Sequence, residues 1–191
     1  MRWLEHAAPR GRRNPARRGY DPSATWLHGG PDRLEGGTLK RYMRHGSDMG
    51  ALFFSPDTPT GRQYAMWHAA AAWPPAIYRV QVDLPADRVF DFGRAGHRAR
   101  LAKVLSGEEQ EAVFAQARRS GQLEWAHLDE DPLREAGFDG ALLFERAAGV
   151  VSEDAVVSLA VFDPRHVRIT GRFTREELER ERLRMVARER P

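Results

Sequence analysis

The chain has 191 residues, of which 41% are hydrophobic and 30% charged, and its formal net charge is +3 at pH 7. This length suffices for one domain with a hydrophobic core, and the absence of cysteine excludes disulfides, zinc–thiolate sites and cysteine nucleophiles. No stretch approaches the roughly 18 apolar residues of a membrane span, and the N-terminus lacks a signal-peptide core. We therefore expect no membrane association and a cytoplasmic location, either in the producing cell or in a host cell that receives the protein.

Residues 1–22 form a basic segment. Their arginines at positions 10, 12, 13, 17 and 18 lie among prolines and glycines, and such a composition buries too little apolar surface to fold alone. The pattern predicts a disordered tail. Its arginines are suited to phosphates or to an acidic partner.

Apolar runs predict the first two strands, over residues 25–28 and 51–54. Between them, residues 29–37 are turn-rich and residues 38–45 have the pattern of a short helix. The sequence therefore predicts two strands separated by an irregular connection.

A helix is predicted over residues 60–72. Thr58 is a suitable N-cap and Pro59 a suitable first helical residue, while Pro74 ends the pattern. Alternating apolar and polar residues over 77–84 then predict a half-buried strand, which residues 89–92 extend.

The second half begins with a helix over residues 106–119. Ser106 and Glu109 match a capping box, and Gly121 lies just past the helix end. Strands are predicted over residues 141–144, 156–162 and 167–170. A second capping box, Thr174 with Glu177, begins a charged C-terminal helix.

The late strands follow one another too closely to be joined by parallel helical crossovers. We therefore predict an α+β fold with a mixed or mostly antiparallel sheet, rather than a doubly wound parallel sheet.

Several short motifs occur in a definite order. They are LHGG at 27–30, GALFFS at 50–55, Tyr64-Ala65 in the following helix, GFDG at 137–140 and VFDP at 161–164. Together they resemble the ADP-ribosyltransferase domains of phage and mobile-element polyvalent proteins, in the branch that includes diphtheria toxin and the poly(ADP-ribose) polymerases. The resemblance covers about residues 24–173.

The resemblance implies a split, mostly antiparallel β-core of two small sheets with helices, and an NAD cleft between the sheets. It divides the chain into the tail at 1–22, an ADP-ribosyltransferase-like domain at 23–173 and a charged helix at 174–191. Residues 93–133 would be a variable helical insert within the domain.

The resemblance also implies roles for four residues toward NAD, which would be a substrate. His28 would hydrogen-bond the ribose on the adenosine side, and the backbone of Gly29 would meet the nicotinamide amide. Tyr64 would stack on the nicotinamide ring, and Ser55 would lie near the same ring. No metal is implied, and the seven histidines show no HxxxH or HxH spacing.

The catalytic carboxylate is the point at which this sequence departs from the family. The family places a glutamate three residues before the Val-Phe pair of the late strand, where this chain has Ser158. Ser158 can bond a ribose hydroxyl but supplies no negative charge to an oxocarbenium-like transition state. Glu153, or its neighbour Asp154, would then supply the charge from the preceding loop.

The resemblance thus implies an NAD-dependent mono-ADP-ribosyltransferase of phage or bacterial origin that modifies a host protein or nucleic acid. The alternative is a catalytically impaired module that keeps the NAD cleft and binds a partner. A third hypothesis is an unrelated, metal-free or RNA-processing enzyme that uses His28, His45 or His68.

Overall fold

The computed structural model describes residues 19–31, 39, 50–70, 75–124, 130–145 and 156–189. The elements are β1 (Trp26–Pro31), β2 (Leu52–Pro56), α1 (Pro59–Ala69), β3 (Pro75–Val82), β4 (Val89–Phe90), α2 (Ala95–Leu101), α3 (Gly107–Ser120), β5 (Leu123–Glu124), α4 (Glu130–Glu135), β6 (Gly140–Glu145), β7 (Val156–Val161), β8 (Val167–Phe173) and α5 (Arg175–Glu189). Of the sequence predictions, the tail up to residue 18 and, apart from Leu39, the short helix over 38–45 lie outside the described residues.

The eight described strands form one sheet in the order β4-β6-β7-β2-β1-β3-β8, with β5 also pairing with β6. The β4–β6 and β5–β6 pairs are parallel, and the other pairs are antiparallel. This architecture confirms the prediction of an α+β fold with a mostly antiparallel sheet.

The two halves of the sheet meet at a short ladder between β1 and β2. Only Trp26–Pro56 and Leu27–Ser55 pair across it, whereas β1 pairs with β3 over six residue pairs. The sheet is therefore continuous, instead of being two separate small sheets, but its two halves are joined by few backbone hydrogen bonds.

The helices pack on one face of this sheet, which we call the α1 face. There Leu27 and Ile77 of the sheet contact Ala65 and Ala69 of α1 and Leu178 of α5. Around β6 and β7 the same face is covered by apolar residues of α2, α3 and α4. Of the described helices, none is both long and apolar enough to cross a lipid bilayer.

The opposite face carries the largest core cluster. Trp26, Tyr78, Val80 and Leu159 belong to it, and Leu39 and Tyr20 pack there from outside the sheet. Neighbouring residues of a strand point to opposite faces of the sheet. Each central strand therefore contributes apolar side chains both to the α1 face and to the opposite face.

The predicted helix ends agree with the structure. Ser106 and Glu109 form both hydrogen bonds of the capping box, and Gly121 ends α3 in the left-handed conformation with φ of 90°. Thr58 accepts a hydrogen bond from the Gly61 amide at the start of α1, and Thr174 begins α5 as predicted.

Several predicted boundaries differ from the structure: α1 ends at Ala69 and not at residue 72, β8 continues to Phe173 and not to residue 170, and two further errors concern β1 and β4. Residues 29–31 continue β1 instead of beginning a turn, because Gly29 and Gly30 pair with Ile77 and Ala76 of β3. Val89 and Phe90 do not extend β3, which ends at Val82, but form a separate strand beside β6. In β1, pairing with a distant strand outweighs the local turn signal, whereas a turn closed by the hydrogen bond from the Arg88 amide to the Pro85 carbonyl oxygen separates β4 from β3.

Candidate functional site

His28 lies where β1 and β2 separate. The ladder ends at Leu27–Ser55, so His28 and Phe54 are not a backbone pair. Instead, His28 Nδ1 lies 2.8 Å from the Phe53 carbonyl oxygen. A carbonyl oxygen can only accept, so Nδ1 carries the proton and Nε2 of the neutral ring carries a lone pair. The imidazole therefore satisfies a strand carbonyl with one nitrogen and presents an acceptor on the other.

Burial lowers the pKa of His28 below its usual value, and the hydrogen bond to Phe53 opposes that effect only in part. The neutral form is therefore favoured at pH 7, in keeping with an acceptor at Nε2. The ring also contacts Phe54, with ring centroids 5.5 Å apart.

The neighbours of the two glycines after His28 explain the first glycine only. A Cβ on Gly29 would lie 2.1 Å from the Ala65 carbonyl oxygen and 2.6 Å from the Ala69 amide of α1. A Cβ on Gly30 would lie 3.4 Å from Nε2 of His28, on the opposite face. Gly29 thus allows the helix to approach the sheet, which is a packing reason for glycine that does not involve a ligand.

Ser55 and Ser158 lie close together at the centre of the α1 face. The β2–β7 ladder runs to Phe54–Leu159, so one further step in the same register sets Ser55 beside Ser158. Both side chains are buried, with exposures of 4% and 1%. The structure therefore places a neutral, buried hydroxyl at the position where the resemblance leads one to expect a glutamate.

Tyr64 lies on α1 immediately before Ala65, the residue that contacts Gly29. It is 3% exposed, and its ring lies 6.4 Å from that of His68. Tyr64, Gly29, Ser55 and Ser158 are therefore associated with the α1 face, whereas the side chain of His28 projects from the opposite face of β1. Glu153 lies outside the described residues.

The GFDG motif has a structural role in the described chain. Asp139 accepts two hydrogen bonds from Arg88, at 2.7 and 2.8 Å. Arg100 lies over the Phe138 ring, 4.0 Å from its centroid, and donates to the Gly137 carbonyl oxygen. Gly137 has a φ of 81°, which glycine adopts without strain. The motif thus closes the turn that leads into β6.

The VFDP motif closes the strand that precedes it. Asp163 accepts hydrogen bonds from the backbone and the guanidinium of Arg165. These bonds, the side-chain one above all, lower the pKa of Asp163 to about 2. Asp163 is therefore an ionised cap of the short 3-10 helix at Pro164–His166.

Sequence reasoning missed two polar clusters, one partly buried and one buried. In the first, Arg62 donates to Asp57 and to Glu181, at 2.6 Å in each case. In the second, Asp91 accepts from the Gln122 amide at 2.8 Å, and its backbone amide donates to His97. Residues far apart in sequence meet in each cluster, so no local motif indicates either one.

Comparison with protein-family models, with curated proteins and with solved structures finds no match for this chain. Within the described ranges, no group of three or more histidine or acidic side chains is arranged to hold a metal ion. The assignment of function consequently depends on the motifs and on the geometry around β1, β2 and β7.

Proposed function

We propose that this chain binds NAD where β1 and β2 separate and acts as a mono-ADP-ribosyltransferase of phage or bacterial origin on a host protein or nucleic acid. The observation that carries the proposal is that β1, β2 and β7 are neighbours. These three strands, which are far apart in sequence, bear His28, Ser55 and Ser158, and the side chain of His28 projects from the face opposite to that of the two serines. The proposal therefore depends on the position of His28 at the separation of β1 and β2.

The neutral His28 ring supports binding of a sugar hydroxyl. Its Nδ1 proton is engaged by Phe53, so Nε2 accepts from a donor, and a ribose hydroxyl is such a donor. The short β1–β2 ladder also leaves backbone groups of residues 28–30 facing away from β3 at the separation. Those groups can bond the nicotinamide amide, the role that the resemblance implies for Gly29.

The transfer step cleaves the bond between nicotinamide and ribose. The electron pair of that bond leaves with nicotinamide, and the cationic ribose is then attacked by a nucleophile of the acceptor. A carboxylate near the ribose stabilises the cationic transition state and so lowers the activation barrier for cleavage of this bond. Since Ser158 has no charge, we assign that part to Glu153.

A nicotinamide-release assay tests the transferase. We expect the unaltered chain to release nicotinamide from NAD, and Glu153→Gln to lower the rate by about 100-fold or more, as loss of one electrostatic stabiliser does. Asp154→Asn, which removes the adjacent carboxylate, is the matched control and should change the rate by less than about threefold. Equal losses in the two variants would contradict the role given to Glu153.

A second candidate function is NAD binding without transfer. The buried, uncharged Ser158 favours it, because at 1% exposure the hydroxyl is packed within the sheet. In that case the chain would bind NAD with an affinity that His28→Ala weakens, and no nicotinamide would be released. The NAD-binding cleft would then serve an interaction with a partner macromolecule.

A further inference from the structure

Two arginines and two carboxylates meet on the α1 face, and we call these four residues the Arg62–Arg79 cluster. Its members are Asp57 just before α1, Arg62 in α1, Arg79 in β3 and Glu181 in α5. Arg79 pairs with Leu27 of β1, and paired residues share a face of the sheet, so its side chain projects toward the helices. Three helices and strands and one loop therefore contribute charge to a single point.

Arg62 forms close hydrogen bonds within the cluster. Its Nε donates to Oδ1 of Asp57 and its Nη1 donates to Oε2 of Glu181, each at 2.6 Å. Arg62 is also buried. Its guanidinium is therefore held in a fixed position by two carboxylates.

Arg79 approaches the same carboxylates less closely. Its Nη2 lies 3.4 Å from Oδ2 of Asp57 and 3.9 Å from Oε2 of Glu181, longer than the roughly 2.8 Å of a charge-assisted hydrogen bond. Its Nε is buried and has no hydrogen-bond partner in the part of the chain that the structure describes. An N–H group that is buried without an acceptor is destabilising, so this donor is incompletely used.

The position of the Arg79 guanidinium favours binding of an anion along one edge. The ring of Phe173 covers its flat side, with Cζ 4.6 Å from the ring centroid. Nε and Nη2 lie on one edge of the planar fork, and that edge binds carboxylates and phosphates through two parallel hydrogen bonds. The side chains of Arg79 and Glu181 are 33% and 38% exposed, so solvent reaches the cluster.

One oxygen, Oε2 of Glu181, is at present shared between the two guanidiniums. Because this oxygen bonds Arg62 closely, it lies too far from Arg79 to fill the Nε–Nη2 edge. A phosphate group has several oxygens in a tetrahedral arrangement. It can therefore accept from Arg62 with one oxygen and from the edge of Arg79 with two others.

We propose that the Arg62–Arg79 cluster is a binding site for a phosphate group and that the Glu181 carboxylate is its internal competitor. When Glu181 is displaced, two guanidiniums face one carboxylate, that of Asp57, and the resulting net charge of +1 suits an anion. The cluster lies on the α1 face, whereas His28 projects from the opposite face. The inference therefore goes beyond the proposed NAD site and does not depend on it.

Thermal melts of Glu181→Ala in inorganic pyrophosphate test this inference, because the substitution removes the competing carboxylate. We expect the melting temperature to rise with concentration, by about 3 to 6 °C at ten times the Kd. The unaltered chain should shift by less than about 1 °C at the same concentration, since Glu181 competes for the same donors. Sodium chloride at equal ionic strength is the salt control.

Second substitutions in the Glu181→Ala background identify the donors. Arg79→Lys keeps the positive charge but loses the planar fork, so the shift should fall below about 1 °C. Arg168→Ala removes an exposed arginine of β8 and is the matched control, which should keep the full shift. A cooperative melt of each variant shows that it is folded.

ADP, which carries a diphosphate on a nucleoside, separates the two sources of such a group. Shifts with both ADP and pyrophosphate support the diphosphate of a nucleotide as ligand, and a shift with pyrophosphate alone supports a free inorganic anion. An equal shift in sodium chloride would indicate an adventitious ion only and would overturn the inference. An undiminished shift in the Arg79→Lys variant, or no shift in folded Glu181→Ala, would overturn it as well.

Discussion

Of the two glycines after His28, only Gly29 is required by its neighbours. Gly29 lies against the backbone of α1, while Gly30 lies beside the imidazole on the other face. Backbone atoms of a helix cannot move aside as the end of a side chain can. The first position is therefore much more restrictive than the second.

Gly29→Ala should lower the free energy of unfolding by about 3 kcal/mol, since its Cβ would overlap the Ala65 carbonyl oxygen. Gly30→Ala is the matched control and should stay within about 1 kcal/mol of the unaltered chain. Urea unfolding followed by circular dichroism measures both changes. Equal stability of the two variants would show that α1 does not pack on Gly29.

The aspartates of the GFDG and VFDP motifs have structural partners within the chain. Asp139 and Asp163 follow patterns on which the family resemblance depends, yet each bonds an arginine near a strand end. Their carboxylates therefore have local structural partners. Motifs of this kind therefore indicate where strands begin and end more directly than they indicate a catalytic role.

At the scale of elements, α5 packs against α1 and β3. Its Leu178 is fully buried, whereas its Leu183 is 53% exposed. Glu181 adds an ion pair with Arg62, which is 6% exposed and also bonds Asp57. Among the side chains of α5 that the structure describes, Leu178 and the partly buried ion pair of Glu181 with Arg62 thus hold the charged C-terminal helix.

Glu181→Ala should lower the free energy of unfolding by about 1 to 2 kcal/mol, because a buried guanidinium loses one of its acceptors. Arg184→Ala, an exposed charge change on the same helix, should alter stability by less than about 0.5 kcal/mol. Chemical denaturation measures the free energy of unfolding of both variants. We also expect protease to cleave α5 faster in the first variant, and similar behaviour of the two variants would contradict the ion pair.

At the scale of the whole molecule, one sheet separates two environments. Helices cover the α1 face, and the largest apolar cluster lies on the opposite face. Among the residues that the structure describes, the halves of the sheet pair with each other at the short β1–β2 ladder. A ligand at this ladder would contact both halves, so binding there would stabilise the folded molecule as a whole.

The pH dependence of stability should show two separate windows. Burial lowers the pKa of His97 and of His28 in the folded state. The unfolded chain therefore binds more protons, and stability should fall as the pH decreases through about 6.5. For Asp163, whose pKa is lowered to about 2, stability is instead lost between about pH 4 and 2.

Single-residue variants show which group causes the loss of stability in each pH range. His97→Gln should flatten the decline in the melting temperature between about pH 7.5 and 5.5, whereas Asp163→Asn should change only the acid limb below about pH 4. Thermal melts at a series of pH values measure both. An unchanged slope near pH 6.5 in His97→Gln would show that His97 does not have a lowered pKa in the folded state.

Much of the local structure could be predicted from the sequence. Ser106 with Glu109, Gly121 and Thr174 identify helix ends because capping depends on residues within one helical turn. The apolar runs likewise identify strands. The path of β1 through Gly29 could not be predicted in this way. A glycine pair occurs both in turns and in strands that pack closely on a helix, so the local sequence does not distinguish the two.

The candidate site was only partly predictable. His28 stands out because it follows an apolar run and precedes two glycines, but no local signal indicates that Ser55 lies beside Ser158. Their proximity depends on the register of the β2–β7 ladder. Such pairings join residues more than 40 positions apart, and no periodicity within a single strand records them.

The sequence by itself determined where helices begin and end, which segments are extended and that an α+β fold results, because short-range capping and side-chain alternation control these features. Only the tertiary structure decided that β1, β2 and β7 are neighbours, that Gly29 serves a helix contact and that Ser55 and Ser158 lie on the face opposite His28. These features depend on strand order and register. Both are selected by the burial of apolar surface across the whole sheet, which no local stretch of residues specifies.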